Sequence, residues 1–232
     1  MSSGALNISY RFWFENGKEI LFDVDIDTDT LLIINDNFKK DDWAKLESFR
    51  CPNCPLDEKE HEYCPLALSL REILLKFSDV QSTEIADIFV KTEARTYHQK
   101  EAVQRGLSSL LGVVMPTSGC PVVGKLKPMV KFHLPFATSD ETEFRVFSTY
   151  LFAQYLKYKK GEMPDWEMTK LQKIYDEISQ VNHHVVNKIR ELSSKDANLN
   201  AVVILETFSG FVSMSLSDKD FSHLESYFKG FE

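Results

Sequence analysis

All four cysteines of this chain are followed directly by proline: Cys51-Pro52, Cys54-Pro55, Cys64-Pro65 and Cys120-Pro121. Only eight prolines occur in 232 residues, so composition alone would give four such steps in about one chain in a million. Proline holds φ near about −65° and carries no N–H donor. One requirement acting behind each sulfur accounts for the pattern, and it predicts a shared site to which separate segments deliver four thiolates.

Cys51 and Cys54 enclose two residues and can chelate from a single turn, while Cys64 follows after a charged stretch of nine residues. Cys120 lies 56 residues further on and must arrive by tertiary folding. Four thiolates on Zn2+ close a structural site, and four on a [4Fe-4S] cluster form a redox or structural centre. A zinc knuckle usually has glycine after its second cysteine, where Pro55 here cannot adopt positive φ. Cysteine followed by proline belongs instead to the iron–sulfur signature, although at one ligand of four. Iron–sulfur is placed just ahead of zinc, and both stand. The alternatives are four reduced cysteines that only pack, or thiol redox chemistry by Cys51 and Cys54. The latter leaves Cys64 and Cys120 unused and lacks the strand-then-helix setting of such dithiols.

The formal charge is −8, and residues 1–62 carry 14 acidic against 7 basic side chains. That balance disfavours nucleic acid as a partner, since phosphate binding needs a basic face. Residues 121–160 are locally basic, seven Lys or Arg against three acids, and read as a solvated helix surface before an anion site. No run approaches the roughly 18 uninterrupted apolar residues of a membrane helix, and Met1 to Ala5 do not open like a signal peptide. The expectation is a cytoplasmic protein with no membrane partner, where thiols stay reduced. A protein partner is possible, and the long helical seam described below could pair within the chain or with another subunit, which leaves oligomeric state open.

The residues read as an α+β fold: a small N-terminal antiparallel sheet and a C-terminal helical bundle, one compact domain over 1–232, with a possible division into 1–135 and 136–232. Apolar residues alternate from Ile8 to Phe14 and from Ile20 to Ile26 around Asn16-Gly17, which predicts a hairpin. A three-residue loop with Gly17 at positive φ pairs Phe12 with Ile20 and Tyr10 with Phe22; a two-residue loop would put the apolar rows on opposite faces. Asp27 to Thr30 reads as a turn, without the glycine and distal glutamate of a calcium loop, leading to a third strand at Leu31–Ile34. Further strand character spans Ile85 to Thr96. Helices are expected from Pro65, with Cys64 near its N-cap, over Lys100–Val114, and from Pro121 towards Lys131 with a break near Pro128. From Ser139 a helix carries Phe144, Phe147, Leu151, Tyr155 and Tyr158 on one stripe. A longer one follows the seam Met168, Leu171, Tyr175, Ile178, Asn182, Val185, Ile189 and Leu192. After a turn at Ser193–Asp196, Leu199–Val212 reads as a central buried helix, and Phe221, Leu224 and Phe228 as a last short one.

Other candidates are weaker. His183 and His184 sit beside the seam and read as solvated or partly packed, His133 as a packed loop residue, and Asn182 as a buried amide. Phe147, Tyr150, Phe152, Tyr155 and Phe208 read as core before ligand pocket. Thr117, Ser118 and Gly119 could offer donors to a sulfur or an anion, although a plain turn suffices. No nucleophile-elbow, Walker, Rossmann or metalloprotease pattern is present.

Several stretches together resemble a bacterial family of unknown function. They are the Tyr10-Arg11-Phe12 start with its Asn-Gly hairpin, Cys51-Pro52-Asn53-Cys54-Pro55-Leu56, Tyr63-Cys64-Pro65-Leu66-Ala67, Gly106 to Gly112, Thr117-Ser118-Gly119-Cys120-Pro121 and His133-Leu134-Pro135-Phe136-Ala137. The resemblance covers essentially the whole chain. It implies a bacterial cytoplasmic protein whose four cysteines act as a set, and it brings no activity with it.

Overall fold

The computed structural model describes residues 4–34, 38–191 and 195–231. Strands β1 (Ala5–Phe14) and β2 (Glu19–Asp27) pair antiparallel with Phe12 opposite Ile20 and Tyr10 opposite Phe22. This is the register of a three-residue loop, and Gly17 supplies the positive φ of +84° that closes it. With that register, Ile8, Tyr10, Phe12 and Phe14 share a buried face with Ile20, Phe22, Val24 and Ile26.

The expected strand at Leu31–Ile34 does not form; only Ile33 bridges Ile26. Asp27 explains the departure: its carboxylate accepts from the amides of Asp29 and Thr30 and from the Thr30 hydroxyl. Leu31 then turns at φ +55°. The segment stays on the β2 edge only through the Asp27 amide to the Leu32 carbonyl and the Ile34 amide to the Asp25 carbonyl, while the Ile33 amide donates to the Thr117 carbonyl.

Two helices precede the next strand: α1 (Leu46–Phe49), and α2 (Pro65–Lys76), which has Cys64 as N-cap and proline at its first position. Strands β3 (Ile85–Thr92) and β4 (Thr96–Ala102) complete a sheet of order β2-β1-β3-β4. β4 occupies residues where no strand was expected, and the helix expected from Lys100 starts only at Val103. The sequence Thr-Tyr-His-Gln-Lys-Glu-Ala has no apolar alternation to reveal it. Its backbone pairing with β3 at the sheet edge decides it.

Helix α3 (Val103–Thr117) lies across the buried face. Gly106 permits this, because a Cβ there would stand 2.6 Å from Ile88 Cδ1 and 2.8 Å from a Phe12 ring carbon. Phe77, at the end of α2, meets Phe12 edge-on at 5.0 Å and stacks on Phe22 at 5.9 Å. Beyond Cys120 come a single 3-10 turn at Val123–Leu126 and the short α4 (Lys127–Val130), in place of one helix from Pro121.

Helix α5 (Ser139–Lys159) opens with a capping box between Thr138 and Glu141. α6 (Thr169–Arg190) buries Leu171, Tyr175, Ile178, Asn182, Val185 and Ile189, as the seam predicts. Met168 is its N-cap residue rather than part of the seam, while Leu192 and the first two turn residues, Ser193 and Ser194, lie outside the described residues. α7 (Ala197–Asp218) packs on α3 and α6, and α8 (Ser222–Glu225) closes the order, followed by a 3-10 segment. Two expectations about burial fail here. α7 is not surrounded by protein, since Val203, Phe211 and Met214 are exposed. On α5 only Phe147 of the five-residue stripe is buried, and Phe144, Tyr155 and Tyr158 face solvent. α5 has few neighbours, chiefly α4 and α7. Glu143 fixes it, accepting from Ser215 Oγ at 2.5 Å and pairing with His223 Nε2 at 2.6 Å.

The larger core runs from the sheet through α2 and α3 to Ile178, Val185 and Ala201. A smaller one joins Val146, Phe147, Leu171, Tyr175, Val212, Leu216 and Leu224. An antiparallel sheet in the N-terminal half with helices after it makes the protein α+β.

Candidate functional site: a cavity ringed by four thiols

Three local devices bring the cysteines together. The Cys54 amide donates to the Cys51 carbonyl at 3.0 Å, which folds Cys51-Pro52-Asn53-Cys54 into a turn. Residues 44–46 run beside 62–64, with the Leu46 amide on the Glu62 carbonyl and the Cys64 amide on the Ala44 carbonyl. That pairing returns the charged loop and sets Cys64 beside the turn. Finally Gly119, at φ +95°, lies against Pro65, where a Cβ would meet the proline ring at 3.5 Å. The left-handed backbone thus swings Cys120 onto the start of α2.

The result is that Cys51, Cys54, Cys64 and Cys120 all line one small cavity, with Phe49, Leu56, Leu66, Val122 and Val181 as its apolar walls. Its interior is small, about 10 Å³. The turn is pinned to α6, because Asn53 Nδ2 donates to the Glu177 carbonyl at 2.8 Å and His184 Nε2 to the Phe49 carbonyl at 3.1 Å. Cys51 and Cys64 are buried, whereas Cys54 and Cys120 are partly accessible, and none forms a disulfide.

Burial dominates the electrostatics of Cys51, Cys64 and Cys120. Burial pushes the Cys51 thiol up to about 12, and the neighbouring Cys64, Cys120 and Cys54 add to the rise. Burial likewise raises Cys64 to about 11, opposed by the amides of Ala67 and Leu66, which face the sulfur without closing a cap hydrogen bond. Cys120 is raised by burial and lowered again by the amides of Val123 and Val122. Two cysteines therefore sit before amide groups that favour negative sulfur. The missing N–H at each following proline costs nothing there, because the first amides of a helical turn have no intrahelical partner.

Among the described residues no three His, Cys, Asp or Glu side chains form the close cage that would hold a single ion. Zinc with Zn–S of about 2.3 Å needs sulfurs about 3.8 Å apart. The four thiols ring a cavity without making that cage.

The remaining candidates fall elsewhere. Thr117 Oγ1 donates to the Val113 carbonyl, while Ser118 Oγ donates to the Met115 carbonyl and accepts from the Cys120 amide. They build the turn, as expected, and offer nothing to a sulfur. His183 is exposed beside Glu206, and His184 braces the thiol turn, a role its sequence position gave no sign of. His133 meets Tyr10. Asn182 is buried near Ser209 and, with Phe208, lines a second cavity between α3, α6 and α7. Sequence reasoning missed that cavity because its residues come from five separate segments.

A family described as a domain of unknown function (DUF6901) matches residues 8–229. The chain belongs to this family. No curated protein and no solved structure matches it, so the DUF6901 description covers all three segments that carry the thiols without lending them a role.

Proposed function

We propose that Cys51, Cys54, Cys64 and Cys120 hold a metal centre as a four-thiolate set, a [4Fe-4S] cluster ahead of Zn2+, in a structural or regulatory role. The observation that carries the reading is that all four Cys-Pro cysteines of the chain, from segments up to 69 positions apart, line one cavity. The donor set suits iron–sulfur chemistry in number and type. Backbone amides at residues 66–67 and 122–123 supply the positive potential that a net negative centre needs. When bound, such a cluster supplies one-electron redox capacity or a cross-link between the loop, α2 and α3. We place the protein in the cytoplasm of a bacterium, where reduced thiols persist, with neither nucleic acid nor membrane as partner. α7 is long and apolar enough to cross a membrane, but its packing on α3 and α6 fits a helix of the protein's own core. The second reading is a redox enzyme or sensor that uses an accessible cluster or the Cys51/Cys54 dithiol; burial, which raises the Cys51 thiol to about 12, weighs against its dithiol form.

The test is metal and sulfide analysis with an absorption spectrum on protein purified without oxygen. About four iron and four sulfide per chain, with a broad band near roughly 400 nm, is the expected result for a cubane on four thiolates. One zinc and no colour would make the site a zinc staple. Absence of both, with each cysteine replaceable by serine at no loss of stability, would end the metal reading.

A further inference from the structure

The second cavity, about 150 Å³ and open to solvent on one side, lies between α3, α6 and α7 and is closed by the segment from His133 to Thr142. It is separate from the thiols. On α6, Val181 faces the thiol cavity, whereas Ile178 and Asn182 face this one.

Its walls are mainly aliphatic and aromatic, with Met115, Leu205 and Phe208 among them, and no carboxylate lines it. Two guanidinium groups do, Arg105 from α3 and Arg145 from α5, and neither forms an ion pair among the described residues. Arg145 is half-buried, with Tyr175 and Glu141 acting on it electrostatically, and its one hydrogen bond there goes to the Met129 carbonyl at 3.0 Å. Tyr175, buried beside it, makes no hydrogen bond through its hydroxyl among the described residues. Charges set against apolar walls are normally paired, and no acid lines this cavity; Glu141, on the same helix as Arg145, acts on it without forming an ion pair. Phe136 adds a backbone sign: it lines the cavity at φ +60°, a left-handed conformation for a bulky residue without glycine's freedom. Such strain gathers at ligand sites.

We propose that this cavity binds a small amphipathic carboxylate, its apolar body against Met115, Leu205 and Phe208 and its carboxylate held by Arg145 with Arg105 and the Tyr175 hydroxyl. Guanidinium matches the planar, bidentate carboxylate. The volume sets the size, since a cavity of about 150 Å³ accepts a benzene-sized body. Aliphatic acids of six to ten carbons, or a phenyl ring with a short acid tail, are of that class, by the same order-of-magnitude comparison.

The experiment is calorimetric titration of the full chain with sodium octanoate, and with octanol as the neutral partner of equal length. One octanoate per chain with a Kd at or below about 1 mM is expected, roughly −0.4 kcal/mol for each of its ten non-hydrogen atoms. Octanol should bind at least about tenfold more weakly, the margin of a charge-assisted contact. Arg145→Met should bring octanoate to the octanol level, and Arg105→Met serves if that variant does not fold. Gly112→Leu should abolish binding of both: Gly112 lines the cavity, and a Cβ there makes only an ordinary 3.8 Å contact with Leu205. Equal binding of acid and alcohol, octanoate binding untouched by Gly112→Leu, or no saturable binding would overturn the proposal. Metal content, measured in parallel, reports on the thiol site alone.

Discussion

The Tyr10 hydroxyl on β1 stands 2.6 Å from Nε2 of His133, in the segment joining α4 to α5, and 3.0 Å from Ser109 Oγ on α3. Sheet, helix and loop thus meet at one polar knot inside the larger core. Burial holds the Tyr10 phenol well above its usual range, and burial, helped by Arg145, holds His133 down at about 3. A neutral histidine leaves one ring nitrogen free to accept, so Tyr10, His133 and Ser109 can share their hydrogen bonds without a charge.

This makes His133 a source of acid sensitivity. The unfolded chain takes up a proton near pH 6.5, and the folded chain does so only near 3. Between those values the unfolded state binds more protons, so stability falls as pH falls, by up to about 1.4 kcal/mol per pH unit from this residue. His133→Gln should be less stable at pH 8, having lost part of the knot, yet show a shallower decline from pH 6.5 to 4 in urea melts. Identical slopes for both proteins would remove the assignment.

Gly106 fixes how closely α3 approaches the sheet. Gly106→Ala inserts a methyl 2.6 Å from Ile88 Cδ1, and overpacking there should cost about 1–3 kcal/mol despite alanine's better helix propensity. The urea midpoint should drop with an unchanged slope; a stabilised variant would show that Ile88 and Phe12 move aside freely.

Arg71 on α2 pairs with Asp41 at 2.6 Å, with side chains only 14% and 24% exposed, and lies 5.7 Å over the Trp43 ring. The pair anchors the segment that leads to Cys51. Asp41→Ala should cost about 1–3 kcal/mol by leaving a half-buried cation unpaired. Arg71→Met in the same chain should recover part of that loss, and a double-mutant cycle measures the coupling directly.

Gly119→Ala tests the delivery of Cys120 without altering any of the four thiols. At φ +95° a side chain costs about 1–3 kcal/mol, and relief of that strain would draw Cys120 away from Cys64. Stability should fall, and under the proposed metal reading so should the metal retained per chain after dialysis. Full retention of both would mean that the left-handed turn does not position the sulfur.

What the sequence revealed follows from where its signals are local. The hairpin register came from alternation plus one glycine, and the α6 seam from spacing of three and four, because burial on one side imposes both patterns. The convergence of four cysteines was legible because each carried its own proline. β4 was hidden, since an edge strand with little buried side-chain area needs no apolar rhythm. Leu31–Ile34 misled for the opposite reason: its residues suit a strand, but Asp27 captures the turn amides first. α5 misled because aromatic spacing alone does not say whether a neighbour exists to cover it. The second cavity was out of reach, as Arg105, Arg145 and Tyr175 become neighbours only through tertiary folding.

The acidic front of the chain gains a meaning from the sheet order. β2 is an edge strand, yet its free backbone is partly occupied: Lys76 Nζ takes the Leu21 carbonyl, and the Ile34 amide takes that of Asp25. Between them Asp23 and Asp25 point into solvent. A second copy approaching edge to edge would set like charge against like charge on a line with few open hydrogen-bonding groups. The negative charge that argues against nucleic acid thereby opposes the pairing of two copies through β2.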